Sequence, residues 1–263
     1  MPDFIVSSPK QLADSKVPAV TLGFWIIKIL ATTLGETGGD TVSMTLNWGY
    51  LAATGLFVAI LIALVWAQIA SMRFRPFLYW STIVASTTAG TTLADFSTRS
   101  MGIGYAGGSL LLLSLVFASL FIWHRSLGSV DVNRIVTPKA EAFYWITITF
   151  SQTLGTALGD WFADSGGLGY IGAAGVFLVA LLVCAILYFG TATSRVGLFW
   201  AAFILTRPLG AAVGDFLDKP VDHGGLALSR PLASLVLAAA IIVLIVVIPQ
   251  RAGRHPGGHG KGA

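Results

Sequence analysis

The sequence contains very little charge. Only 11% of its 263 residues are Asp, Glu, Lys or Arg, whereas 55% are hydrophobic. A soluble domain carries about 25% charged residues, and a chain of this length needs a large polar surface to remain in water. The low charge therefore excludes a soluble globular protein and an intrinsically disordered chain. Cysteine is also scarce, and the single Cys184 excludes a disulfide scaffold.

Long apolar runs take the place of the missing charge. Four uncharged runs, at 51–70, 105–123, 170–189 and 231–248, have the roughly 20 residues needed to cross a bilayer. Four less apolar segments that carry charge lie between them, at 17–40, 76–95, 143–160 and 196–215. The sequence thus predicts an all-α polytopic membrane protein whose partner is the lipid bilayer and not a nucleic acid. It leaves homo-oligomerisation open.

An internal fourfold repeat links the two kinds of segment. Four tryptophans are each followed by a glycine ten residues later and by an aspartate five residues after that. The four copies are Trp25, Gly35, Asp40; Trp80, Gly90, Asp95; Trp145, Gly155, Asp160; and Trp200, Gly210, Asp215. Such a repeat predicts eight transmembrane helices, arranged as four helical hairpins of the same orientation.

The repeat and the loops between its copies predict a division of the chain into units. The four repeats are expected at 17–70, 76–124, 142–189 and 196–248. A cytoplasmic loop is expected at 125–141, an N-terminal cytoplasmic segment at 1–16 and a disordered cytoplasmic tail at 249–263.

The basic residues predict the orientation in the membrane. Most of the 16 Lys and Arg residues fall in loops on the side of the two termini, and the opposite loops hold only Arg99, Lys219 and Arg230. The positive-inside rule then places both termini in the cytoplasm. Asp218 is assigned to a solvated outer loop.

Each charged segment carries two stripes. One consists of small residues, among them the four glycines, and is explained by close packing between helices in lipid. The other is a polar seam that is absent from the uncharged segments. Its members are Lys28, Thr32, Glu36 and Asp40; Thr87, Thr91 and Asp95; Gln152, Thr156 and Asp160; and Arg207, Ala211 and Asp215. Ionisable groups in a membrane face a cavity or a partner, so the charged helices are predicted to lie inside and the uncharged helices to face lipid.

The seam carries the predicted site. Five carboxylates, those of Glu36 and the four repeat aspartates, outnumber its two cations, which leaves a formal excess of three negative charges. Such a cluster must bind a cation, share protons or pair with Lys28 and Arg207. The five carboxylates are predicted to bind a cation or proton, with Lys28 and Arg207 as counter-ions. Residues predicted to line the path are Thr32, Thr87, Thr91, Gln152 and Thr156. An alternative interpretation is that each Gly-Asp pair only ends a helix.

The four Trp-Gly-Asp copies resemble a bacterial family of uncharacterised, membrane-anchored proteins that is defined by a repeated domain of unknown function. A Gly-Tyr pair follows in three copies, at 49–50, 104–105 and 169–170. This resemblance implies an integral protein of the bacterial inner membrane. Residues 36–40, Glu-Thr-Gly-Gly-Asp, are more weakly similar to the Glu-x-Gly-Asp motif of membrane exchangers that move manganese or calcium against protons.

The sequence favours a cation transporter over the other function classes. Carboxylate and hydroxyl oxygens suit Mn²⁺, and also Ca²⁺ or Mg²⁺, so a divalent metal exchanged for protons is the first hypothesis and no cofactor is required. A second hypothesis is a transporter of an organic solute or anion that uses Arg207 and Lys28. A third is a membrane scaffold or sensor without transport. An enzyme is not expected, because the seam offers no Ser-His or Cys-His pair and no catalytic residue.

Overall fold

A computed structural model describes residues 15–253 of the chain. The predicted N-terminal segment, up to residue 14, and the end of the predicted tail, from residue 254, lie outside these described residues. Eight long α-helices follow one another along the chain. They are α1 (Leu22–Asp40), α2 (Gly49–Ala70), α3 (Pro76–Asp95), α4 (Gly104–Leu127), α5 (Pro138–Asp160), α6 (Gly169–Gly190), α7 (Arg195–Asp218) and α8 (Arg230–Val247).

Five of these helices, α2, α4, α6, α7 and α8, are long and apolar enough to cross a membrane. Burial separates them into two kinds. In α7, 61% of the span is buried within the protein, against 11–28% in the four even-numbered helices. The even-numbered helices therefore present apolar side chains outward, as an integral membrane protein requires.

The odd-numbered helices contact one another in the order α1, α3, α5, α7 and back to α1. A glycine at each crossing makes these contacts close. A Cβ on Gly90 would lie 2.9 Å from the carbonyl carbon of Gln152. The equivalent contacts are Gly35 with Thr87, Gly155 with Arg207, and Gly210 with Thr32. The small-residue stripe predicted from the sequence is therefore a packing surface.

Each even-numbered helix packs on the inner helix of the following repeat. Leu61 of α2 packs against Ala89 of α3, and Val116 of α4 packs against Ala157 of α5. In the same way α6 covers α7, and α8 covers α1. Because the last outer helix covers the first inner helix, the four repeats form a closed ring.

The aspartates of the first three repeats mark a change in backbone geometry. The helices α1, α3 and α5 end at Asp40, Asp95 and Asp160, and each continues into a five-residue π-helical turn. The outer helix then begins at Gly49, Gly104 or Gly169, whose φ angles are +74°, +73° and +63°. These left-handed conformations favour glycine, which accounts for the Gly-Tyr pair. The fourth repeat differs, because α7 continues past its aspartate to Asp218.

The segments before α1 and after α8 close the end of the ring that carries the termini. Pro18 and Ala252 form an antiparallel bridge. Lys16 pairs with the buried carboxylate of Glu141 at 2.6 Å. Aromatic side chains fill the same end of the bundle, and the hydroxyls of Tyr79 and Tyr144 lie 2.6 Å apart. This end of the inner ring is therefore densely packed.

Candidate functional site

Equivalent residues of the four repeats lie at the same level inside the ring. Each crossing glycine contacts the residue three positions before the next repeat's glycine, which sets this register. Five buried layers follow from the end with the termini. They are Phe24, Tyr79, Tyr144, Phe199; Lys28, Ile83, Ile148, Phe203; Thr32, Thr87, Gln152, Arg207; Glu36, Thr91, Thr156, Ala211; and Asp40, Asp95, Asp160, Asp215. The layers change from mainly apolar to polar and then to acidic.

The acidic layer consists of two carboxylate pairs, each bridged by one cation. Arg99 lies 3.0 Å from Asp95 and 2.9 Å from Asp160. Lys219 lies 2.5 Å from Asp40 and 3.0 Å from Asp215. The four aspartates are at most 2% exposed. Solvent therefore does not stabilise their negative charge, and the two cations compensate it.

A further ion pair corrects the assignment of Asp218 to a solvated loop. Asp218 belongs to the last turn of α7, is 5% exposed and accepts a hydrogen bond from Arg230 at 3.1 Å. Arg99, Lys219 and Arg230, which the sequence analysis left in outer loops, therefore all contact buried carboxylates. With Asp218 and these three cations included, the predicted excess of three negative charges falls to one.

Lys219 follows α7 directly and remains charged in this setting. Burial opposes its charge, but the carboxylates of Asp215, Asp40 and Asp218 outweigh burial and raise the pKa of Lys219 well above its ordinary value of 10.5. The ammonium is thus held between carboxylates as a permanent cation at neutral pH.

Glu36 joins one of the two aspartate pairs. One carboxylate oxygen from each of Glu36, Asp40 and Asp215 lies within 4.8 Å of the other two. These residues come from α1 and α7, which adjoin where the ring closes. One oxygen of Asp40 has no hydrogen-bond partner among residues 15–253. The three carboxylates together offer hard oxygen ligands of the kind that bind divalent cations.

Arg207 lies about two turns before Asp215 in α7 and is fully buried. Its guanidinium donates to Glu36 at 3.0 Å and to the hydroxyls of Thr91 and Thr156, both at 2.5 Å. Longer contacts reach the carbonyl oxygens of Thr32 at 3.5 Å and Thr87 at 3.4 Å. Arg207 therefore connects all four inner helices at the centre of the ring.

The remaining predicted residues lie closer to the end with the termini. Lys28 is fully buried, with its Nζ 4.2 Å from the centre of the Phe203 ring, and forms no hydrogen bond within the described part of the chain. Thr32 donates to the carbonyl of Ile29 at 2.8 Å. The amide of Gln152 and the hydroxyl of Thr87 find no hydrogen-bond partner within the same residues. The structure thus brings Arg207 to the carboxylate of Glu36 and leaves Lys28 two layers away from that carboxylate.

Sequence reasoning missed Arg99, Lys219 and Asp218. A signal for the two cations was available, because each follows the aspartate of its own repeat by four residues, a spacing that places side chains side by side on a helix. No spacing in the sequence indicates that each cation also contacts the aspartate of another repeat.

The comparison with known protein families agrees with this architecture. The family described as Repeat of Unknown Function (DUF347) matches four times, at residues 23–74, 78–129, 143–194 and 198–250. The chain belongs to this family. Each DUF347 repeat corresponds to one inner helix and the outer helix that follows it.

The other comparisons add no function. Neither the curated proteins nor the solved structures contained a match to the chain. No exchanger family matched, so the likeness of residues 36–40 to the Glu-x-Gly-Asp motif stays a local one. The chemistry of the DUF347 ring therefore has to be argued from its own residues.

Proposed function

We propose that this protein transports a divalent cation, with Mn²⁺ as the first candidate, across a bacterial inner membrane in exchange for protons. The observation that carries the proposal is the convergence of Glu36, Asp40 and Asp215, whose oxygens lie within 4.8 Å of one another. Carboxylate oxygens suit Mn²⁺, Ca²⁺ and Mg²⁺. When the metal leaves, buried like charges cannot all stay ionised, so protons replace it.

Lys219 has a defined part in this mechanism. Its ammonium lies between Asp40 and Asp215, where it neutralises the site in the absence of substrate. A divalent ion that enters between the same carboxylates displaces the ammonium. The site then alternates between the transported ion and the tethered ammonium together with protons, which supply the positive charge that one ammonium lacks, so the buried carboxylates never stand without compensation.

The proposed arrangement in the membrane follows from the burial pattern and from the basic residues. The helices α1, α3, α5 and α7 surround the path, and α2, α4, α6 and α8 face lipid. Both termini are cytoplasmic, because most Lys and Arg residues lie in loops on that side. Fifteen residues separate each repeat tryptophan from its aspartate, or about 22 Å of helix, so the acidic layer lies in the outer part of the membrane.

Metal binding and flux test the proposal. Purified protein is titrated with Mn²⁺, Ca²⁺ and Mg²⁺ while its thermal stability is followed, since a ligand that binds the folded state stabilises it. Mn²⁺ flux is then measured in proteoliposomes. Asp40→Asn and Asp215→Asn are expected to weaken the metal effect at least about tenfold and to stop flux. Asp222→Asn, at an exposed carboxylate, serves as the matched control and leaves both unchanged.

Two results would contradict the proposal. If Asp40→Asn and Asp215→Asn retain the flux of the unmodified protein, the carboxylate cluster does not carry the ion. If the same variants only lower stability, and no metal changes the stability of the unmodified protein, the ring is a structural network and the scaffold hypothesis takes its place.

A transporter of an organic anion is the second candidate. It is favoured by the fully buried Nζ of Lys28 and amide of Gln152, which form no hydrogen bonds among the described residues. On this hypothesis a small carboxylate stabilises the protein, Arg207→Gln removes that effect, and divalent metals have none.

A further inference from the structure

The guanidinium of Arg207 is surrounded by oxygen atoms from three other helices. Glu36 supplies a carboxylate oxygen at 3.0 Å, and Thr91 and Thr156 supply hydroxyl oxygens at 2.5 Å. Two backbone carbonyls, those of Thr32 and Thr87, lie at 3.5 Å and 3.4 Å. We refer to these five oxygens as the oxygen cage. Its composition of one carboxylate, two hydroxyls and two carbonyls is a ligand set typical of hard divalent cations.

Two features of the repeat place a cation in this cage. Gly155 leaves room for the Cβ and Cγ of Arg207, with which a side chain at that position would collide. Ala211 replaces the larger Glu36, Thr91 and Thr156 in its own layer, so the guanidinium can extend into that layer. The arginine therefore fills a place that the other three repeats build but do not occupy.

The cage adjoins the carboxylate cluster through a shared residue. Glu36 accepts a hydrogen bond from Arg207, and one of its oxygens also lies within 4.8 Å of Asp40 and Asp215. A cation held at the cluster is therefore within one side chain of the cage. Both sites have a tethered cation in this conformation, Lys219 in the cluster and Arg207 in the cage.

The helix that carries Arg207 has a weak point directly beside it. Pro208 lies inside α7, and proline has no N–H to donate to the carbonyl four residues earlier. The equivalent residues of the other repeats are Thr33, Thr88 and Thr153, each of which donates its hydroxyl to a carbonyl of its own helix. The substitution in the fourth repeat therefore removes a backbone hydrogen bond next to the one arginine of the seam.

We propose that the oxygen cage is an inner cation site, which Arg207 fills in the conformation described here and leaves when the transported divalent cation arrives. The inference rests on the proposed function and extends it, because it gives the ion a second position deeper in the ring. Glu36 is the residue that passes the ion from the cluster to the cage. Arg207 acts as a tethered competitor and not as a ligand.

The number of bound ions tests this inference. Mn²⁺ binding to purified protein is measured by equilibrium dialysis for the unmodified chain, Arg207→Gln and the double variant Glu36→Gln with Arg207→Gln. At a Mn²⁺ concentration that fills only the cluster of the unmodified chain, Arg207→Gln is expected to bind one more ion, since no tethered cation competes for its cage. The double variant is expected to lose that additional ion. Arg73→Gln, at an exposed arginine, is the matched control and binds as the unmodified chain does.

Two further variants keep the test decisive. If Arg207→Gln does not fold, Arg207→Lys retains the charge but lacks the planar five-donor fork of the guanidinium, and it is expected to bind Mn²⁺ about tenfold more tightly than the unmodified chain. Asp40→Asn combined with Arg207→Gln separates the two sites, because it removes the outer ion and leaves the inner one. The inference is overturned if Arg207→Gln and Arg207→Lys bind Mn²⁺ like the unmodified chain, or if the additional ion survives in the double variant.

Discussion

Arg99 and Lys219 occupy the same position in the second and fourth repeats, nineteen residues after the repeat tryptophan. Each bridges the aspartate of its own repeat to that of the next one around the ring. The first and third repeats have Met44 and Asp164 at this position. The chain therefore has four repeats, but a bridging cation occurs in only two of them. Glu36 then distinguishes the two halves, because it adjoins only the pair bridged by Lys219.

Replacement of Lys219 tests its role as a tethered cation. Lys219→Met leaves Asp40 and Asp215 buried without their shared partner, and loss of one member of a buried ion pair costs about 3–5 kcal/mol. Unfolding in detergent is therefore expected at lower temperature, and Mn²⁺ is expected to restore more stability than in the unmodified chain. Lys139→Met, at an exposed lysine, is the control. If Mn²⁺ raises the stability of Lys219→Met and of the unmodified chain equally, Lys219 does not compete with the metal.

The pH dependence of this stabilisation has a definite sign. The pKa of Lys219 is raised above its ordinary value of 10.5, since the nearby carboxylates outweigh the cost of burial. A raised lysine pKa contributes stability that is fully present below the unfolded pKa and is lost as the pH rises through the folded pKa. The stability difference between the unmodified chain and Lys219→Met is thus expected to stay constant from about pH 7 to 10. A difference that shrinks within this range would contradict the prediction.

The glycines at which the inner helices cross predict where a larger side chain destabilises the ring. Gly90→Ala introduces a Cβ only 2.9 Å from backbone atoms of Gln152 and Thr153, which cannot move without displacing α5. Overpacking of this kind costs about 1–3 kcal/mol. Gly175→Ala is the matched control, because nothing lies within 4 Å of a Cβ there, and it is expected to be neutral. Thermal unfolding in detergent measures both, and equal stability of the two variants would contradict the packing argument.

The orientation in the membrane can be read from single cysteines. In a Cys184→Ser background, a membrane-impermeant thiol reagent applied to intact cells is expected to label Asp222→Cys, whose position is exposed beyond α7. It is expected not to label Ser126→Cys, at an exposed position near the end of α4, until the cells are opened. The reverse pattern would place the termini outside the cell and the acidic layer near the cytoplasm.

Much of the architecture was predictable from local spacing. The Trp-Gly-Asp repeat predicted the equivalence of the four aspartates, and the small-residue stripe predicted the close crossings. Arg99 and Lys219 were missed because they lie near helix ends, and the count of basic residues used for the orientation assigns such residues to loops. Asp218 was missed because α7 extends one turn further than the other inner helices, a difference that hydropathy does not reveal.

The sequence by itself determined the membrane class, the fourfold repeat and the polar seam, because all three depend on composition and on spacing within single helices. Only the tertiary structure decided which charges meet. Glu36 and Arg207 are 171 residues apart in the chain, yet they lie 3.0 Å apart across the ring. The bridges of Lys219 and Arg99 likewise depend on the order in which the inner helices adjoin. That order follows from glycine packing between repeats and from the closure of α8 on α1, which no periodicity within one helix records.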